Sequence, residues 1–135
     1  MSIEEYTLAD SVKTIGDYAF ENCGIRDIST YNAETIGDYA FSGLIRTSSL
    51  HIGSSVRTIG DNAFEVTLIE NNFTLENGVQ TIGENGLYVE FDFEADEYEP
   101  ITIPASVRSF CGNSFPEGTV LDENNPYFTS VDGSI

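Results

Sequence analysis

Few side chains in this sequence could perform catalytic chemistry. The 135 residues include a single histidine, His51, and two cysteines, Cys23 and Cys111. A nucleophile needs a neighbouring base and a group that orients that base, and no spacing in the sequence pairs His51 with either thiol. One histidine and two distant cysteines are also too few for an ordinary structural zinc site. The sequence therefore predicts a protein that is not an enzyme and needs no metal or cofactor.

One alternative to the absence of a metal is calcium binding in the segment 88–100. Residues 92–96 alternate acidic and apolar side chains as at the start of a calcium loop, but Glu97 stands where such a loop needs glycine. Ile103 stands where the bidentate glutamate belongs, so calcium is only a minor alternative. The segment is interpreted either as an exposed hairpin or lateral loop, or as a loop that contacts a partner. In the second interpretation the contacting aromatic side chains are Phe91, Phe93 and Tyr98.

Charge and composition exclude several classes of function. The chain has 23 acidic and 5 basic side chains and a formal net charge of −18. A nucleic-acid partner or an anionic membrane surface requires a basic patch, which five cations cannot build. No apolar run approaches the roughly 20 residues that span a bilayer. The first five residues lack the basic and apolar regions of a signal peptide, so a cytosolic chain and a fragment of a longer secreted protein both remain open.

An internal repeat is the most informative feature of the chain. Thr-Ile-Gly occurs at residues 14–16, 35–37, 58–60 and 81–83, and a degenerate copy, Ser-Phe-Cys, occurs at 109–111. Five positions after the central residue of each triplet stands a large apolar residue. A small residue directly precedes each of these large residues. The large residues are Phe20, Phe41, Phe64, Leu87 and Phe115. Self-similarity of this kind is the signature of a stacked repeat architecture.

Each repeat contains a short alternating apolar segment, a turn, the Thr-Ile-Gly triplet and an Asp-x-Ala-Phe segment. The alternation predicts a strand with one buried face, and the last segment predicts a single helical or 3₁₀ turn. One unit cannot bury its apolar face alone, whereas stacked units can. The sequence therefore predicts an α/β repeat solenoid, rich in β-structure, of about five to six turns. Cys23 and Cys111 would then lie about 20 Å apart, too far for a disulfide.

The predicted solenoid is one domain that covers residues 1–135. Its repeats lie near residues 6–28, 28–49, 50–72, 73–100 and 101–118, and residues 119–135 form a partial repeat or cap. The fourth repeat carries the insertion 88–100.

Residues 11–23, Ser-Val-Lys-Thr-Ile-Gly-Asp-Tyr-Ala-Phe-Glu-Asn-Cys, resemble the BspA-type leucine-rich repeat. Residues 101–107, Ile-Thr-Ile-Pro-Ala-Ser-Val, are a second close match, and residues 122–133 resemble the segment that often follows such repeats. The resemblance implies a right-handed, curved solenoid without enzymatic activity. It also implies a role in surface proteins of bacteria and protists that adhere to host proteins. The fourth repeat departs from the family pattern, because Gly86-Leu87 replaces Ala-Phe. The first repeat alone keeps the family cysteine, as Cys23.

Charged residues recur at fixed positions in the repeat and form two predicted columns. The acidic column contains Asp17, Asp38, Asp61 and Glu84. It is interpreted as a set of carboxylates that satisfy N–H groups at the start of each turn, with a cation-binding stripe as the alternative. The basic residues are Lys13, Arg57 and Arg108 in one position and Arg26 and Arg46 in another. These are interpreted as neutralising nearby carboxylates, with a local anion site as the alternative.

The outward positions of the strand ladder are the predicted binding surface of the solenoid. They carry small polar side chains and one histidine, at Thr7, Ser29, His51, Thr74 and Thr102, and Val120 continues the series. The predicted function is a non-enzymatic, adhesion-type protein-binding module of a secreted or cell-surface protein, which binds another protein, such as a host or cell-surface protein. Two alternatives are an acidic intracellular inhibitor that mimics nucleic acid and a structural spacer. An ordinary solvated sheet face would also favour threonine, and the oligomeric state is left open.

Overall fold

The computed structural model describes residues 2–3, 7–44, 47–91, 101–111, 113–116 and 119–128. In this part of the chain the protein is a β-solenoid of about four turns, built from parallel strands without a helix. The strands are β1 (Ser2–Ile3), β2 (Thr14–Ile15), β3 (Gly24–Ile25), β4 (Asp27–Ser29), β5 (Thr35–Ile36), β6 (Thr47–Ile52), β7 (Thr58–Ile59), β8 (Leu68–Leu75), β9 (Thr81–Ile82), β10 (Glu90–Phe91), β11 (Thr102–Ile103) and β12 (Val120–Leu121).

One side of the solenoid is a four-stranded sheet, β2-β5-β7-β9, which we call the Thr-Ile sheet. Its register places Thr14, Thr35, Thr58 and Thr81 opposite one another, and the isoleucines likewise. Every isoleucine of the sheet is buried, because period-two alternation turns it to the core. The degenerate fifth triplet joins only through an isolated bridge between Thr81 and Ser109. The regular ladder is therefore shorter than the five or six turns expected.

The opposite side is a second four-stranded parallel sheet, β4-β6-β8-β10, which we call the long-strand sheet. Ile28 lies opposite Leu50, and Leu50 lies opposite Phe73, all three turned to the core. Two smaller parallel pairs accompany it: β1 pairs with β3, and β11 pairs with β12.

The core between the two sheets contains a stack of phenylalanines from the Ala-Phe positions of successive repeats. The ring centroids of Phe20 and Phe41 are 5.3 Å apart, those of Phe41 and Phe64 are 5.2 Å apart, and both pairs are nearly parallel. Phe41, Phe64 and Leu87, which follows at the same repeat position, are completely buried. Identical side chains at identical positions thus stack along the solenoid axis and bury large apolar areas.

The Asp-x-Ala-Phe segments form hydrogen-bonded turns and not the predicted helical turns. The third residue after each isoleucine adopts positive φ, at 60° in Tyr18, 58° in Tyr39, 56° in Asn62 and 55° in Asn85. A left-handed residue at this point interrupts any right-handed helix. Two residues after Tyr39, the N–H of Phe41 donates to the carbonyl of Ala63 in the next coil at 2.8 Å. Backbone hydrogen bonds therefore run between coils.

Candidate functional site

The outward side chains of the long-strand sheet form a regular polar surface. The strand register aligns Ser29, His51 and Thr74 in one row. A second row lies two residues earlier in each strand and consists of Asp27, Ser49 and Asn72. All six side chains are exposed or half-buried, and the apolar residues between the rows face the core. We call these six residues the polar face.

One hydrogen bond joins two residues of the polar face, and a second contact lies at its rim. The Ser49 hydroxyl donates to Oδ1 of Asp27 at 2.7 Å. His51 Nε2 lies 2.6 Å from Oε2 of Glu76, and both side chains remain about half exposed. The imidazole is therefore paired with a carboxylate at the rim of the face. Because the six side chains include no lysine or arginine, the surface is polar with acidic ends.

The structure brings together only part of the predicted binding row. Ser29, His51 and Thr74 share the polar face, whereas Thr102 lies opposite Val120 in the separate β11-β12 pair. Thr7 is exposed and lies outside the strands. The row of Asp27, Ser49 and Asn72 was missed, although counting back two residues from each predicted position would have found it.

Phe91, predicted to contact a partner, lies in β10 beside Ile69 of β8. It is half-buried against the core, and its ring meets Phe73 edge-on with the centroids 6.0 Å apart. Part of the Phe91 ring is thus committed to the fold. The other two aromatic candidates of the insertion, Phe93 and Tyr98, lie outside the described residues, as does the candidate calcium segment 92–96.

The acidic column links successive coils. Oδ1 of Asp17 accepts the backbone N–H of Asp38 at 2.8 Å. Oδ1 of Asp38 accepts the N–H of Asp61 at 2.8 Å, and Oδ1 of Asp61 accepts the N–H of Glu84 at 2.9 Å. The carboxylates satisfy N–H groups as predicted, but those groups belong to the next coil and not to the same turn.

This column explains why glycine precedes the acidic residue. A Cβ on Gly60 would lie 2.8 Å from the backbone nitrogen of Asp38 and would also collide with the Asp38 carboxylate. Gly37 and Gly83 face the preceding coil in the same way. The glycine and the aspartate of the recurring Gly-Asp pair therefore act together, because the glycine makes room for the aspartate carboxylate of the preceding coil.

Replacing Asp38 by alanine is expected to lower the free energy of unfolding by about 1–2 kcal/mol, because the charge-assisted acceptor for the Asp61 N–H is lost. Urea denaturation followed by circular dichroism measures the change. Asp38→Asn retains an acceptor oxygen and should lose less. Asp10→Ala, at an exposed turn, removes the same charge and should be nearly neutral. Equal losses in the Asp38→Ala and Asp10→Ala proteins would contradict the assigned role.

The side chains that follow the acidic column form a second ladder on the surface. The rings of Tyr18 and Tyr39 stack with centroids 5.1 Å apart and 3° between their planes. Asn85 continues the ladder by donating to the Asn62 side-chain oxygen at 3.1 Å. Desolvation raises the pKa of Tyr39 above its ordinary value, and the negative charge of Glu65 raises it further. The phenol is therefore neutral at pH 7.

The basic side chains make local contacts. Lys13 Nζ lies 3.9 Å from the Glu34 carboxylate, which agrees with the predicted neutralising role. Arg57 instead donates to the Gly78 carbonyl at 3.3 Å, and Arg108 donates to the side-chain oxygen of Gln80 at 3.0 Å. Arg26 is exposed, and Arg46 lies outside the described residues. These contacts do not support the alternative of a local anion site.

The structure does not bring together His51, Cys23 and Cys111, the residues considered for catalysis. Cys23 is buried, Cys111 is exposed and both are free thiols. His51 contacts Glu76 and neither thiol. Among the residues with described positions, no group of three histidine, cysteine or acidic side chains could hold a metal ion. Within the same residues, no helix has the length and apolar character needed to cross a membrane.

Comparison with known proteins agrees with this geometry. Residues 1–121 match six copies of the BspA type leucine rich repeat region. No curated protein and no solved structure matched the chain. Leucine-rich repeats of this family are generally non-enzymatic and mediate protein–protein interactions. The match spans most of the chain, so this protein belongs to the BspA-type leucine-rich repeat family of protein-interaction modules.

Proposed function

We propose that this solenoid is an adhesion-type binding module of a secreted or cell-surface protein and that the polar face is its docking surface. The observation that carries the proposal is the alignment of two rows of small polar side chains in register across three strands. Such a surface is flat and offers closely spaced donors and acceptors. Repeats of this type are also common in surface proteins.

The charge of the chain indicates the chemistry of the partner. A net charge of −18 attracts a cationic protein and repels acidic ones, which affects the association rate and specificity more than the final affinity. Asp27 places a carboxylate on the polar face, and Glu76 places another at its rim. Glu90, in the described part of the acidic segment 88–100, belongs to the same sheet, because β10 pairs with β8. We therefore propose a host or other cell-surface protein with a basic docking patch.

A nucleic-acid mimic has less support than a docking module. Mimicry needs freely displayed carboxylates at regular spacing, and the regularly spaced carboxylates here are those of the acidic column. One oxygen of Asp17, Asp38 and Asp61 is engaged by a backbone N–H of the next coil. The column therefore has a role within the fold, and its regular spacing follows from coil stacking.

Introducing lysine at Ser29, His51 and Thr74 is expected to weaken partner binding at least about tenfold, because three long cations would stand on the docking surface and repel a basic partner. Binding is measured by capture of proteins from a host-surface extract, followed by the affinity of the purified partner. The control introduces three lysines at Thr14, Thr58 and Thr81, which are exposed on the Thr-Ile sheet.

The two triple variants carry the same charge, so a loss confined to the first locates the surface. Equal loss of binding in both variants would mean that the effect comes from net charge alone. That result would contradict the assignment of the polar face as the docking surface. Captured cytosolic nucleic-acid enzymes that DNA displaces would favour mimicry. Captures that recover no specific partner would favour the structural spacer.

A further inference from the structure

Strand β8 contains an acceptor sequence for N-linked oligosaccharides. Asn72-Phe73-Thr74 has a threonine two positions after an asparagine, with a residue other than proline between them. No other asparagine of the sequence is followed at this distance by a serine or a threonine. Because a pattern this short also arises by chance, its placement in the fold decides whether the folded chain could carry a glycan.

The fold exposes both functional groups of this sequence on the polar face. Asn72 and Thr74 are exposed, whereas Phe73 between them is half-buried and packs against the core. In the strand register, Asn72 lies opposite Ser49 and Thr74 lies opposite His51. Alternation along the strand thus separates the apolar side chain from the two polar ones. An oligosaccharide on the Asn72 side chain would extend outward from the sheet and displace no core residue.

The surroundings of Asn72 differ from those of the adjacent asparagine. The row of Asn72 continues through the small side chains of Ser49 and Asp27, which leave room for a sugar above the sheet. The side-chain nitrogen of Asn71 instead donates to the Ser48 hydroxyl at 2.7 Å. Asn71 also has no hydroxyl residue two positions later. Two adjacent exposed asparagines are therefore distinguished by sequence and by contacts.

We propose that Asn72 is an acceptor site for an N-linked oligosaccharide and that this glycan covers part of the polar face. The co-reactant is an oligosaccharide joined to a lipid diphosphate, and an oligosaccharyltransferase recognises the asparagine together with the Thr74 hydroxyl. The side-chain nitrogen of Asn72 forms a bond to the anomeric carbon, and the bond from that carbon to the diphosphate oxygen breaks. The lipid diphosphate leaves with the electron pair, and one amide proton passes to a base of the transferase.

The attached glycan controls access to the docking surface. Its first sugar stands in the row of Asp27, Ser49 and Asn72, beside His51. Because a glycan is bulky, a protein partner cannot then reach the Asp27 carboxylate. Glycan occupancy thereby decides which copies of the module dock through the polar face. The inference rests on the proposed function in one respect, since the transfer takes place on exported chains.

The full chain is secreted from a eukaryotic host behind a cleavable leader and analysed by peptide mass spectrometry, before and after N-glycosidase treatment. We expect a glycosidase-sensitive glycan on Asn72 that the Asn72→Gln and Thr74→Ala proteins lack. Thr74→Ser retains the hydroxyl and should keep the glycan. Asn71→Gln is the matched control and should also keep it. Secretion without a glycan on Asn72, or equal loss in the Asn71→Gln and Asn72→Gln proteins, would overturn the proposal.

His51, the single histidine of the chain, reports whether the glycan covers the polar face. Its modification by diethyl pyrocarbonate should be at least about twofold slower in the glycosylated protein than in Asn72→Gln protein from the same host. Equal rates would overturn the covering of the face. Docking through the polar face is tested on chain made in bacteria, which lacks the glycan. Failure of docking and failure of glycosylation are therefore distinguishable.

Discussion

Replacing Phe41 by alanine is expected to lower the free energy of unfolding by about 3–5 kcal/mol. Phe41 is completely buried, and its ring stacks between those of Phe20 and Phe64. Removing it loses the transfer free energy of a whole aromatic side chain and leaves a cavity that coils held in register by two sheets cannot close. Because domains of this size are stable by only about 5–15 kcal/mol, the loss is a large share of the total. Urea denaturation followed by circular dichroism measures it.

Phe20→Ala is the matched control, because Phe20 is half-buried and lies in the first coil, with Phe41 on one side of its ring. We expect a smaller loss there, since less apolar surface returns to water. If Phe20→Ala cost as much as Phe41→Ala, the interior of the stack would not be the main source of stability.

Gly60→Ala is expected to lower the free energy of unfolding by about 3 kcal/mol, although it adds only one methyl group. The new Cβ would collide with the carboxylate of Asp38 and lie 2.8 Å from its backbone nitrogen. The coils must then separate locally, which adds the strain of overpacking to the loss of the hydrogen bond from Asp38 to the Asp61 N–H. Thermal and urea unfolding should both show the loss.

Gly16→Ala makes the same chemical change in the first coil and provides the control. No described residue lies within 4 Å of the added carbon, so the substitution should be neutral or stabilise the chain by up to about 1 kcal/mol by restricting the unfolded state. Equal destabilisation of the two alanine variants would mean that glycine is needed for its own backbone conformation. The role assigned to the preceding carboxylate would then be wrong.

Stacking of the repeats could be predicted because a repeat in sequence places identical residues at identical positions. The Ala-Phe spacing correctly predicted an inward column, whereas the parallel sheet formed by the Thr-Ile pairs was not predicted, because these pairs were interpreted as turns. Alternation within the strands also placed Ser29, His51 and Thr74 in one row. These features depend only on period-two alternation and on the length of the repeat.

Other features depended on the path of the backbone between coils. The predicted helical turns are interrupted by left-handed residues such as Tyr18 and Tyr39. A tyrosine in the sequence does not indicate positive φ, whereas a glycine would. Phe91 alternates with acidic residues in the sequence, yet the pairing of β10 with β8 turns it against Phe73. Sequence alternation defines two faces of a strand, but the neighbouring strand decides which face is buried.

By itself, the sequence determined the repeat, the stacked core and the net negative charge, because all of these follow from residue types and their spacing. Only the tertiary structure decided that Asp38 reaches the next coil and that Gly60 makes room for its carboxylate. The physical reason is that a hydrogen bond between coils joins residues about 20 positions apart. Its existence depends on turn dihedrals and coil separation, which no local pattern of side chains records.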